Sequence, residues 1–255
     1  MPTASPQSSP HLAEPSSSAR RNRILAALPA DSLDRMAEHL EPVELGMKMR
    51  VYEPHGPIEH VYFPLSGVIS LLSIADDAGI EIATVGNEGM AGVGAFLGKP
   101  VMPWRAIVQI PGHALRIPVA QFQRELDRDG ALRAMLGHYT QAMLIHVAQS
   151  AACNRLHPVD ERCARWLLTS HDRVDSDTFP VTQEFLSQML GVRRASVTVA
   201  AGILQRAGTI RYARGKVRIL DRKALEAASC ECYHITRREY EQLHVPPERV
   251  ASAVA

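Results

Sequence analysis

Residues 182–219 read TQEFLSQMLGVRRASVTVAAGILQRAGTIRYARGKVRI, and this stretch decides the fold of the C-terminal half. Thr182 suits the N-cap of a short helix whose apolar content is Phe185, Leu186, Met189 and Leu190. Gly191 supplies the left-handed residue that ends a helix, and Val192 can plug the turn behind it. A second helix is predicted from Arg194 to Arg206, with Val197, Ala201 and Leu204 on one face at steps of four and three. Helix, glycine-containing turn and helix make the helix-turn-helix plan.

The outward face of the second helix carries Arg194, Ala195, Thr198, Val199 and Gly202. Small side chains there would let the helix sit deep in a major groove. Arginine pairs two-pronged with guanine O6 and N7, worth about 1–3 kcal/mol of discrimination. Beyond Gly208, Thr209–Tyr212 and Val217–Leu220 read as two short strands around the basic turn Ala213-Arg214-Gly215-Lys216, a wing whose Arg214 and Lys216 suit phosphates. Between Arg193 and Lys223 there are nine basic residues and one acid, Asp221. Such an excess suits a polyanion, unless acids elsewhere in space answer it.

Upstream, Pro158 and Pro180 bracket a predicted helix over 160–169 that contains Ala164, Trp166, Leu167 and Leu168. Before it, Leu132, Leu136, Tyr139, Met143 and Val147 form one stripe on a long helix over about 131–154. That stripe could meet its twin in a dimer or pack on its own domain. From Val43 to Pro118, short apolar runs such as Val68–Leu72, Ile80–Val85 and Ala106–Ile110 are broken by Gly, Pro, Asn and Asp, which reads as an antiparallel barrel or sandwich. Residues 1–22 hold six Ser and four Pro and are expected to be disordered.

The whole chain has 255 residues, 46% of them apolar and 22% charged, with a net charge of +1. This is the balance of a globular protein without a membrane span, and no secretory signal is apparent, so the cytoplasm is expected. The four cysteines, Cys153, Cys163, Cys230 and Cys232, are then expected to be reduced. Cys230-Glu231-Cys232 lacks the spacing of a standard zinc knuckle, Cys153 and Cys163 read as small core residues, and no metal ligand is assigned.

Several segments together resemble the Crp/Fnr family of bacterial regulators. They are Val61–Ile69 (VYFPLSGVI), Gly86–Phe96 (GNEGMAGVGAF), Glu161–Leu168 (ERCARWLL) and Thr182–Leu220, and the likeness spans roughly residues 23–235. The resemblance implies an α+β protein with a cupin-like antiparallel β-roll, a long dimerisation helix and a winged helix-turn-helix. The expected divisions are a disordered tail at 1–22, a β-roll sensor at 23–128, a dimerisation helix at 129–156, a DNA-binding domain at 157–235 and a C-terminal tail at 236–255. It further implies a homodimer on palindromic double-stranded DNA, contact with RNA polymerase, and a small-molecule effector of unknown identity.

Carried over residue by residue, Arg194 matches the family's base-contacting arginine, with Ala195, Thr198 and Val199 completing the reading face. Ala195 stands where the best-known members have Glu, and Val199 where they have a second arginine, which points to a different operator. Thr182, Gln183, Arg193, Ser196, Arg214 and Lys216 are the expected phosphate contacts. Arg193 replaces the usual Ser cap. The effector pocket maps to Gly89, Gly92, Gly94 and Arg105. The Gly-Glu and Arg-Ser pairs that hold a cyclic nucleotide lose their carboxylate and serine here, which argues against cyclic AMP or GMP. No cysteine precedes Cys153, which argues against the family's N-terminal iron-sulfur cluster. His55, His60 and His113 are candidate haem ligands. No catalytic residue is assigned. The alternatives are an interaction module that no longer binds DNA, and a cupin-like metal enzyme using Glu53, His55, Glu59 and His60.

Overall fold

The computed structural model describes residues 15–75 and 78–243. Three short helices, α1 (Pro15–Ala19), α2 (Arg23–Ala26) and α3 (Ala30–Ala37), lead into β1 (Glu41–Leu45), β2 (Arg50–Tyr52), β3 (His60–Pro64), β4 (Val68–Ala75) and β5 (Ala78–Val85). A helical turn, α4 (Val93–Phe96), precedes β6 (Arg105–Ile110) and β7 (Gly112–Pro118). These strands form two antiparallel sheets, ordered β1-β7-β3 and β2-β6-β4-β5. The expected α+β class and β-roll are thus present, with Tyr52, Phe63, Ile69, Leu71 and Leu115 in the core between the sheets.

Two helices follow the roll, α5 (Val119–Arg128) and α6 (Gly130–Leu156). Asp129 starts α6 by accepting from the backbone N–H of Ala131 and Leu132, each at 3.0 Å. Pro158 prevents its continuation and caps α7 (Val159–His171). Of the two packings open to the stripe, the structure shows the one against its own domain. Leu132, Leu136, Tyr139 and Met143 are buried in the roll's own core and Val147 packs against it. The physical reason is that the roll's open side needs an apolar cover, and α6 supplies it. Tyr139 donates to the Met90 carbonyl at 2.8 Å, and its ring passes so near Gly89 that a Cβ there would lie 2.4 Å from it.

The C-terminal domain contains α7, β8 (Thr178–Pro180), α8 (Gln183–Leu190), α9 (Arg194–Arg206), β9 (Ile210–Ala213), β10 (Lys216–Ile219), α10 (Arg222–Ala227) and α11 (Cys232–Gln242). Its sheet has three strands, β8-β10-β9, one more than the wing expected from sequence. The domain is not tethered loosely. Val68, Leu72 and Ile110 of the roll share one apolar cluster with Trp166, Leu167, Phe179, Leu186, Leu190 and Val197. Beside this seam, Arg173 and Glu88 form a buried ion pair at 2.6 Å.

Two expected boundaries shift. Of the expected disordered tail, residues 1–14 lie outside the described residues, whereas residues 15–19 form α1 and Asn22 begins α2. Ala19 is buried, and Asn22 caps α2 while donating to the carbonyls of Pro64 and Gly89. Of the C-terminal tail, residues 244–255 lie outside the described residues, whereas 236–242 complete α11. The charged text of α11 hides its anchor: Tyr240 packs on Tyr139 and sets its hydroxyl 3.2 Å from His146 Nδ1.

Candidate nucleic-acid interface

Local chemistry builds the two helices as the sequence predicts. The Thr182 hydroxyl oxygen accepts from Phe185 N–H at 3.1 Å and so starts α8. Gly191 adopts φ 61°, and its left-handed backbone reverses the chain into α9. Val197, Ala201 and Leu204 are buried as expected, joined by Ala200. Arg193 is the N-cap residue of α9 and makes no side-chain capping bond; its carbonyl takes the Ser196 N–H, and its side chain leaves those of Arg194 and Ala195 uncapped. Those groups carry the positive end of the helix dipole, which favours an anion such as phosphate.

The outer face of α9 is a shallow, exposed strip. Arg194, Ala195, Thr198 and Val199 all lie on it, Val199 at 62% exposure. Thr198 donates to Gln183 Oε1 at 2.9 Å, which ties the strip to the start of α8. Ser196 is half-buried beside it. The wing tip turns at Arg214 and Gly215, with φ of 50° and 72°, the geometry of a tight hairpin. Gly215 lies near Thr182, which brings the tip beside the start of α8. Thr182, Gln183, Arg193, Arg194, Arg214 and Lys216 therefore belong to one region.

Its charge is unanswered. Of the nine basic residues between Arg193 and Lys223, Arg222 alone forms an ion pair among the described residues, with Asp172 and Glu226.

The expected effector set does not assemble in the same way. Arg105 pairs with Glu53 at 2.8 Å on the roll. Gly89 makes room for Tyr139, Gly92 caps α4 with φ 111°, and a Cβ on Gly94 would lie 2.7 Å from the Lys99 carbonyl. Each has a structural duty. A cavity of about 130 Å³ lies instead where α6, α7 and α11 meet the roll, lined by residues that include Glu88, His146, Arg173 and Tyr240. None of the four expected residues lines it. At the nearby seam, Trp166 Nε1–H donates to Glu81 Oε1 at 3.0 Å and the Ser70 hydroxyl donates to Oε2 at 2.7 Å. Burial pushes the Glu81 carboxyl up to about 7, against the opposing pull of Ser70 and of the Arg165 and Arg173 charges.

Sequence reading missed one grouping. Cys153 on the last turn of α6 and His157, the residue that caps it, meet Cys230 just before α11 and Cys232 at its start. The available signal was the four-residue step from Cys153 to His157, which places both on one helix face. The second cysteine pair begins 77 residues away, beyond the reach of any local pattern.

Residues 161–228 match the family model of the Crp-like helix-turn-helix domain. No curated protein sequence matches the chain. Among solved structures, FixK2 from Bradyrhizobium japonicum superposes with a TM-score of 0.64 at 16% identity, covering 75% of this chain and 98% of that one. A transcriptional regulator of the crp/fnr family from Eubacterium rectale gives 0.62 at 16% identity, covering 82% and 98%. The c-di-GMP responsive global regulator CLP of Xanthomonas campestris gives 0.57 at 19% identity, covering 75% and 99%. The chain therefore has the fold of the Crp/Fnr regulators and carries a Crp-like helix-turn-helix domain at its C-terminal end. No helix among the described residues is long and apolar enough to cross a membrane.

Proposed function

We propose that the chain is a homodimeric, sequence-specific transcription regulator that reads double-stranded DNA through α9. The observation that carries this reading is the exposed small-residue face of α9, set in a stretch where eight of the nine basic residues from Arg193 to Lys223 form no ion pair among the described residues. In this reading Arg194 contacts a base edge and Ala195, Thr198 and Val199 line the groove floor. Thr182, Gln183, Arg193, Ser196, Arg214 and Lys216 meet phosphates and set the register.

The outward side of α6 supports the dimer. With the inward stripe occupied by the roll, Ala134, Gly137, Gln141, Leu144, Ala148 and Ala151 remain exposed at steps of three and four residues, Leu144 at 68%. This is the spacing of a paired-helix seam, and its small side chains permit close approach. Two recognition helices would then read half-sites about 34–36 Å apart, one duplex turn. A small-molecule effector and contact with RNA polymerase belong to the same proposal by resemblance.

Selection of bound fragments from a genomic library, together with light scattering, tests it. The expected result is a dimer that enriches a palindrome and whose affinity falls steeply with salt. A monomer that enriches no sequence would refute it.

A further inference from the structure

We propose that Cys153, His157, Cys230 and Cys232 form a closed, four-coordinate site for one thiophilic divalent ion, zinc by preference, which clamps the end of α6 to the start of α11. All four candidate ligand atoms lie within 4.8 Å of one another. Cys153 Sγ is 3.5 Å from Cys230 Sγ, and Cys232 Sγ is 3.4 Å from His157 Nδ1. A zinc tetrahedron with bonds of about 2.3 Å to sulfur and about 2.0–2.1 Å to nitrogen has edges of about 3.8 Å and about 3.6 Å. Two edges already match, and the others need to contract by no more than about 1 Å.

The surroundings are those of a metal centre. His157 turns Nδ1 toward the thiols while Nε2 lies 3.2 Å from a Glu231 carboxylate oxygen, the outer partner that fixes a ligating imidazole. Gln149 Nε2–H donates to Cys232 Sγ at 3.0 Å. The three cysteines are buried and form an apolar island of their own. Arg162 and Arg165 on α7 are buried, lie within electrostatic reach of Cys153, and form no ion pair with any carboxylate among the described residues. The Nε of each lacks a hydrogen-bond partner. Buried cations require a compensating anion. A divalent ion held by three thiolates and a neutral imidazole carries one net negative charge and would supply it.

A disulfide between Cys153 and Cys230 would use two of these groups and leave the third thiol, His157 and its carboxylate unexplained. A multi-iron cluster needs ligand atoms farther apart than these. Tetrahedral sulfur and nitrogen ligands select zinc.

The test uses the full chain, expressed in zinc-containing medium and purified under reductant without chelator. Elemental analysis is expected to find about one zinc per chain, falling to about a tenth or less in the Cys230→Ser/Cys232→Ser variant. Cobalt(II) added to chelator-stripped wild type is expected to give the intense visible bands of a tetrahedral ion with thiolate charge transfer. This readout needs no variant to fold, and neither readout depends on DNA binding. Cys163→Ser, outside the group, should keep its zinc. Metal-free protein that shows no such cobalt bands would overturn the proposal. So would zinc retained in the double variant, or a Cys153–Cys230 disulfide in the isolated chain.

Discussion

Two sets of arginines divide this molecule. Around α9, Arg193, Arg194, Arg206, Arg211, Arg214 and Arg218 stand in solvent without an acid. On α7 and just beyond it, Arg162, Arg165 and Arg173 are buried against the roll and α6. The same side chain serves opposite ends. A solvated cation costs little to keep and remains available to a polyanion. A buried one must be compensated, as Glu88 compensates Arg173, and so it ties the parts of the fold together. A count of basic residues does not distinguish the two; burial and partners do.

The largest effect that would break this comparison concerns Arg173. Arg173→Met leaves Glu88 charged and buried, and should lower unfolding stability by about 3–5 kcal/mol in urea titrations. Adding Glu88→Met should recover most of the loss. A single-variant cost below about 1 kcal/mol would mean that the pair is open to water.

Arg194→Ala makes the opposite case. Stability should be unchanged, while affinity for the selected site should fall by about 1–3 kcal/mol, roughly 5- to 150-fold, in gel-shift titrations. Binding to random duplex should fall much less, and an equal loss on both would reduce Arg194 to a phosphate contact. Lys216→Ala should weaken binding to all sequences alike, and should reduce the slope of log affinity against log salt by about one.

A last test concerns the seam between the two regions. The folded-state carboxyl of Glu81 titrates at about 7, above its ordinary value of 4.5. The native chain therefore binds more protons than the unfolded chain between those limits. Stability from this group is fully present below about 4.5, declines as pH rises toward 7, and is flat above. Glu81→Gln should remove that slope from urea midpoints measured across the window. An unchanged slope would assign the pH dependence to other groups.

The helix-turn-helix was legible because its signals are local. Thr182, Gly191 and the steps from Val197 to Leu204 act within one or two turns of themselves. The strands of the roll were legible for the same reason, through Gly, Pro and Asp punctuation. What stayed hidden depends on distant partners. The stripe on α6 fits a twin helix and the roll equally well until the roll's open side is seen. Residues 236–242, TRREYEQ, read as part of a C-terminal tail, yet Tyr240 is buried beside Tyr139 and His146. The surroundings of the expected effector residues were hidden too, because Tyr139 beside Gly89 and Glu53 beside Arg105 lie 50 and 52 residues away in the chain.

One feature of the seam governs how the reading head can move. Gly191, the pivot between α8 and α9, rests against the Ile80 side chain of β5, and α8 lies along that strand. The head is therefore no pendulum on a string. It is a plate seated on another plate, and interdigitated side chains allow it a few discrete seats rather than a continuous glide. Ile80 thus touches the turn that joins α8 to α9, so a change of side chain at that one position of β5 bears on both helices at once.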